Sequence, residues 1–125
     1  MTSITHFNIP ADNVEKAKNF YTELFGWEIE RLPGPFEYFE IRTKTAEGKE
    51  GLAGGLAKRM VPHEGITNYV DVPDIDEYLS KAEELGGKVI SPKMPVPGFG
   101  FLAVIMDTEN NSIGLWQTDK EAKAK

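Results

Sequence analysis

Asn13-Val-Glu-Lys-Ala-Lys-Asn-Phe-Tyr-Thr-Glu-Leu-Phe-Gly26, followed by Trp27-Glu-Ile29, recurs later in the chain. Its second copy is Asp74-Ile-Asp-Glu-Tyr-Leu-Ser-Lys-Ala-Glu-Glu-Leu-Gly-Gly87, followed by Lys88-Val-Ile90. Each copy opens on a residue whose side chain can cap a helix, runs about three turns of amphipathic helix, stops at glycine and enters a strand. Shifting the first by 61 positions, which carries Asn13 onto Asp74, also puts Val14 on Ile75, Leu24 on Leu85, Gly26 on Gly87 and Ile29 on Ile90. An internal repeat of this kind constrains the fold more than any single segment does.

Outward from the helices, the remaining elements follow from alternation and turn chemistry. Ile4 to Ile9 reads as a strand, with His6 and Asn8 on one face and Pro10 ending it. In the first helix Val14, Ala17, Phe20, Tyr21 and Leu24 make the apolar face; in the second it is Ile75, Tyr78, Leu79, Ala82 and Leu85. Trp27–Leu32, Phe36–Arg42 and Leu52–Lys58 are the next strands, with Pro33-Gly-Pro35 a turn between the first two. The adjacent Gly54 and Gly55 predict a bulge or the close approach of another group. After a connector, Ile66–Val72, Lys88–Ile90, Phe101–Met106 and Ser112–Gln117 are strands, and Ser91–Gly100, with its three prolines, reads as a long structured loop. Asp107–Asn111 is a turn. The order is β-α-β-β-β, twice. The fold class is therefore α+β, two tandem βαβββ modules expected to form a cupped eight-stranded mixed sheet. Module one covers about 1–60, module two about 61–119, and a charged tail 120–125, all within one domain spanning 1–125.

The chain has 125 residues, the size of one domain, and can bury roughly two-thirds of its unfolded surface without a covalent staple. Its 40% hydrophobic and 27% charged content describes a soluble globular chain. A net charge of −6 argues against nucleic acid as a partner. No apolar run approaches the ~20 residues of a membrane span. The opening Met1-Thr-Ser-Ile-Thr-His-Phe has neither basic flank nor apolar core, so no leader is read and a cytoplasmic location is expected. Without cysteine there is no disulfide, thiolate metal site or thiol nucleophile. Gly51-Leu-Ala-Gly-Gly55 lacks the lysine and the following helix of a phosphate loop.

With these elements in place, the chain resembles the vicinal oxygen chelate superfamily, the glyoxalase/bleomycin-resistance/dioxygenase proteins. The matching pieces are His6 in the opening strand, Phe20-Tyr21, Phe25-Gly26-Trp27, Gly86-Gly87 and the closing Asp107-Thr-Glu-Asn-Asn-Ser-Ile-Gly-Leu-Trp116. The resemblance implies a small-molecule cleft. In metal-dependent members it also implies a divalent ion held by His, Glu or Gln side chains, two from each module, that acts as a Lewis acid on adjacent substrate oxygens. Carried over residue by residue, the opening-strand ligand matches His6. Its repeat-mate is Thr67, the last-strand glutamate is replaced by Gly114, and the fourth position falls near Ala53 and Gly54, which offer no donor. No cofactor is expected on this set, and metal binding is the less favoured alternative. His63 lies in the connector and reads as a solvated loop histidine.

His6 then has two readings: a half-buried histidine bonded to a neighbour, or a polar cleft group able to bind or move a proton near neutral pH. Alternation places Asn8 with it, Thr67 and Tyr69 on the inner face of the second module, and Gly114 and Trp116 on that of the last strand. Trp116 is a core residue or a wall that stacks on a flat ligand. Phe99 and Phe101 are ligand contacts if their loop covers the cleft, and loop packing otherwise. The expected ligand-binding set is His6, Asn8, Thr67, Tyr69, Phe99, Phe101 and Trp116, with His6 the candidate for any catalytic role. The function expected is binding of a small organic molecule by a glyoxalase- or bleomycin-resistance-like protein without a full metal centre. Its alternatives are a metal-dependent lyase or dioxygenase, and a non-catalytic regulatory domain. The resemblance also implies a homodimer.

Overall fold

The computed structural model describes residues 1–34, 37–60, 62 and 64–122. The expected positions Pro35, Phe36, His63 and 123–125 lie outside these. Eight strands and two helices follow the predicted order. They are β1 (Ile4–Ala11), α1 (Val14–Phe25), β2 (Glu28–Arg31), β3 (Tyr38–Arg42), β4 (Ala53–Lys58), β5 (Thr67–Asp71), α2 (Ile75–Glu84), β6 (Lys88–Val96), β7 (Gly100–Met106) and β8 (Ser112–Thr118). The chain divides into two compact units, 5–67 and 68–125, the second also taking in residues 1–4. The fold is α+β, one βαβββ module in each unit. Among the described residues no helix is long and apolar enough to cross a membrane.

In module one the strand order is β2-β3-β4-β1. β1 runs parallel to β4, and the β2–β3 and β3–β4 pairs are antiparallel. Asn13 caps α1 by accepting the Lys16 amide at 3.0 Å. Gly26, at φ 72°, donates its amide to the Thr22 carbonyl at 2.9 Å and ends the helix. The core is built from Ile9, Val14, Ile29, Phe39, Ile41 and Leu56, with Ala17 and Tyr21 of α1 packed on it. Phe20 and Leu24 do not join them, contrary to the sequence pattern: they stand 57% and 59% exposed. The space under α1 is taken by Tyr21, whose ring stacks on Trp27 at 5.3 Å, so the next residues around the helix are displaced to its flank.

Pro10 does not end β1, which continues through it to Ala11. The Arg59 amide donates to the Ala11 carbonyl at 2.9 Å, which places Ala11 among the residues whose polar groups face β4. Alternation then turns the backbone of Pro10 away from β4, where its missing N–H removes no bond of that ladder. Beyond β4, the Arg59 guanidinium ties the chain back to β1 and to the start of α1. Nε reaches Asp12 Oδ1 at 3.1 Å and Nη1 donates to the Glu64 carbonyl.

Module two repeats the plan, with strand order β5-β8-β7-β6, β5 parallel to β8 and the other pairs antiparallel. Val72, Ile75, Ala103 and Leu115 form its core, with Tyr78 and Leu79 of α2 against them. Asp74 caps α2 through the Asp76 amide at 3.0 Å, and Gln117 Oε1 accepts the Ile75 amide at 2.9 Å, so a strand side chain completes the cap. The repeat slips by one residue at the other end of the helix. The left-handed position is Gly86, φ 97°, rather than Gly87. Gly86 donates to Glu83 at 3.1 Å and Gly87 to Ala82 at 2.8 Å, the paired bonds of a Schellman ending. Gly87 is needed for another reason: a Cβ there would lie 2.8 Å from the Met106 carbonyl oxygen. Leu85, like its repeat-mate Leu24, is exposed, contrary to the sequence pattern.

The stretch read as a loop over 91–100 is mostly strand. β6 continues to Val96, with register shifts between Val89 and Ser91 and between Ser91 and Met94. β6 is the outer strand of its module and pairs with β7, so prolines can direct their missing donors outward, and the shifts absorb the rest.

Candidate ligand-binding faces

Register determines which side chains share a face. In module one Phe7 and Ile9 pack into the helix-side core, so His6 and Asn8 between them belong to the opposite face of the sheet. His6 pairs with Ala53 and Asn8 with Gly55 across the parallel β1–β4 ladder. Gly55 in turn pairs with Glu40 of β3. His6 and Asn8 are both half-buried. The phenol of Tyr38 lies on Gly55, where a Cβ would overlap its hydroxyl oxygen. Burial, and then the neighbouring Glu40 carboxylate, hold the Tyr38 hydroxyl above the ordinary tyrosine pKa. Arg42 pairs with Glu40 at 2.9 Å.

In module two Val70, Ala103 and Leu115 face α2. Tyr69, Gly114 and Trp116 are therefore on the other face, and Thr67 shares it by alternation along β5. Tyr69 pairs with Gly114, and its ring covers that glycine so closely that a Cβ would overlap Cδ1. Trp116 donates its indole N–H to Thr118 Oγ1 at 3.0 Å. A Cβ at Gly100 would meet the Gln117 carbonyl oxygen first and then the Trp116 ring edge, 2.9 Å away at Cζ2. Tyr69 thus rests on a glycine seat and Trp116 borders Gly100 with its edge, with Leu102 and Met94 on the same face. Tyr69 and Trp116 fall on one face of the module-two sheet.

Phe99 and Phe101 part company. Phe101 joins the helix-side cluster of module two, under the Lys93 ammonium at 4.5 Å from its ring centroid. Phe99 is exposed in the turn between β6 and β7, its amide bonded to the Val96 carbonyl at 3.0 Å. The two do not share a face because Phe101, already read as the first residue of its strand, falls by parity with Ala103 and Ile105 on the helix side, while Phe99 precedes the strand.

The same register corrects the fourth family position. Tyr69 pairs with Gly114, and the 61-residue shift carries Tyr69 onto Asn8, whose partner is Gly55, one residue beyond the expected Ala53–Gly54. Gly54 faces the helix side, beneath the Phe7 ring. The donor set therefore does not fit a four-ligand ion. His6 is the one side chain of the usual type, Thr67 is a hydroxyl, and Gly55 and Gly114 carry no side chain and lie under tyrosine rings.

Sequence reasoning missed a region of module one around Trp27. A cavity of about 450 Å³ opens between α1 and the sheet, with Tyr21, Trp27, Leu52 and Ile66 among its walls and Lys44 at its edge. A second, of about 690 Å³, adjoins it along Phe25, Glu28, Arg42 and Thr45. The signal in the sequence was the aromatic run Phe20-Tyr-Thr-Glu-Leu-Phe-Gly-Trp27, there read as one helix face and a strand start.

Comparison with known proteins agrees with this architecture. The N-terminal profile of bleomycin resistance protein-like proteins matches residues 3–42. A glyoxylase-like domain-containing protein of Didymella fabae is 32% identical over 116 residues, 87% of this chain and 88% of that protein. The putative glyoxylase CFP32 of Mycobacterium bovis is 32% identical over 114 residues, 86% of this chain. The chain spans only 42% of the length of that relative. The crystal structure of a superfamily member from Vibrio splendidus 12B01 superposes with a TM-score of 0.67 at 12% identity, covering 95% of this chain and all of the other. The chain belongs to the glyoxalase/bleomycin resistance protein/dioxygenase superfamily, the vicinal oxygen chelate proteins.

Proposed function

We propose that this chain is a glyoxalase- or bleomycin-resistance-like binding protein that takes a small, flat organic molecule on the aromatic sheet face of module two, without a complete metal centre. The observation that carries the reading is the seating of Tyr69 on Gly114, with Trp116 on the same face of the sheet. Aromatic side chains on one sheet face bind flat apolar groups at little cost in side-chain entropy. The Trp116–Thr118 bond fixes one of the two rings in advance. Leu102 and Met94 extend the apolar surface, and Thr67 offers a hydroxyl at its margin. The family membership supports small-molecule binding as a class; the ligand's flatness is inferred from the rings.

On this reading His6 and Asn8 act as polar binding groups of module one rather than as metal ligands. The test is a thermal-shift screen of bleomycin and a panel of aromatic small molecules, on protein dialysed against a chelator. Stabilisation that persists with the chelator and disappears in Trp116→Ala supports the proposal. Stabilisation that requires added divalent metal, is lost in His6→Ala and survives Trp116→Ala points instead to the metal-dependent lyase or dioxygenase reading.

A further inference from the structure

We infer that module one carries a separate ligand site on the helix side of its sheet, and that this site takes a flat aromatic carboxylate. The space is a wide-mouthed depression of about 450 Å³, open to solvent on one side. Its walls are aromatic and already ordered: Tyr21 stacks on Trp27 at 5.3 Å with 17° between planes, and Phe7 meets Trp27 at 5.9 Å. Leu52 and Ile66, both largely exposed for residues of their kind, complete an apolar lining that no described residue of the module covers fully. These walls are matched by an aromatic ring system and by nothing strongly polar.

The polar end is as restricted. Thr43 lines the cavity, but its hydroxyl is committed, donating to the Leu52 carbonyl at 2.6 Å. Among the described residues, Lys44 is the one charged residue of the lining. Its backbone bridges Glu50 across the β3–β4 loop, which holds the base of the side chain in place. The adjoining cavity shares Trp27, Thr43 and Lys44 and adds Arg42, which is held by Glu40 at 2.9 Å, together with the carboxylates Glu28 and Glu50. An anionic head is therefore expected on the Tyr21–Leu52 side, where Lys44 is the charged residue of the lining, and not in the adjoining cavity. This site is independent of the module-two face: the two lie on different modules and share no residue.

Two probes separate the ring from the charge: 2-naphthoate and the uncharged 2-naphthalenemethanol, each measured by equilibrium dialysis against the full chain carrying Trp116→Ala, which removes the module-two site from the measurement. This parent protein binds both, naphthoate more tightly. Adding Lys44→Met weakens naphthoate about five-fold, the scale of a solvent-exposed charge pair, and leaves naphthalenemethanol unchanged. Adding Leu52→Trp, which fills the cavity, removes both; Ile66→Trp serves in its place if thermal unfolding shows the first variant misfolded. Because Trp116 is absent throughout, failure of the module-two proposal does not touch this result. The inference is overturned if neither probe binds the parent, if Lys44→Met binds naphthoate as well as the parent, or if binding survives in the folded cavity-filling variant.

Discussion

The ring of Tyr69 lies on Gly114, its partner across the parallel β5–β8 pair, and occupies the space that any side chain at position 114 would need. The same relationship recurs in module one, where Tyr38 covers Gly55. The repeat therefore preserves a glycine seat at equivalent register in both modules but fills it differently. In module two the ring comes from the parallel neighbour β5; in module one it comes from β3. A carboxylate ligand and a seated ring exclude one another, and this chain has the ring.

Gly114→Ala is expected to destabilise the protein by about 1–3 kcal/mol, because the new methyl displaces the Tyr69 ring or the β8 backbone. In a Tyr69→Ala background the same change should cost far less, with a coupling of about 1 kcal/mol or more between the two sites. Urea unfolding of the four proteins in the cycle measures this. Equal penalties in both backgrounds would mean that the ring is not what position 114 meets.

Gln117→Ala should destabilise by about 1–2 kcal/mol, since the Ile75 amide at the start of α2 loses its acceptor in a partly buried place. Hydrogen exchange at Ile75 should accelerate more than at the Asp76 amide, which keeps Asp74 as its acceptor. Uniform acceleration along α2 would argue against a local cap.

The turn between β7 and β8 gives a pH dependence. Asp107 accepts the backbone amides of Asn111 and Glu109 at 2.9 and 2.8 Å, and these bonds hold its carboxyl below the ordinary value of 3.8. A carboxylate with a lowered native pKa stabilises the fold above its unfolded value and loses that contribution as pH falls through the native one. Asp107→Ala should therefore be less stable than wild type at pH 7, and the gap should narrow as the pH is lowered from about 4. A gap independent of pH would show that the charge plays no part.

Much of this fold was legible because local signals agreed with one another. Asn13, Gly26 and Asp74 mark helix ends by side-chain and dihedral chemistry that depends on little beyond the neighbouring residues. What was not legible depended on pairing. Pro10 is tolerated because of which way its backbone faces, and the prolines of β6 because that strand lies at the outside of its module. Of the candidate site, Tyr69 and Trp116 followed from alternation on firmly placed strands. Phe101 did not, because it was grouped with the loop before it although its strand parity puts it with Ala103 on the helix side, and Gly55 was missed by one residue, enough to change faces. The cavity beside Trp27 joins the aromatic run Phe20–Trp27 to Leu52 and Ile66, distant in sequence, so the run alone did not reveal it.

Under the proposed function, this member of the superfamily binds its ligand without the family's metal centre. The most direct measurement is elemental analysis of freshly purified, untagged protein after dialysis, on wild type and His6→Ala together. The account predicts divalent metal well below one equivalent, and the same in both. One equivalent of a divalent metal retained by the wild type and lost in His6→Ala would contradict it.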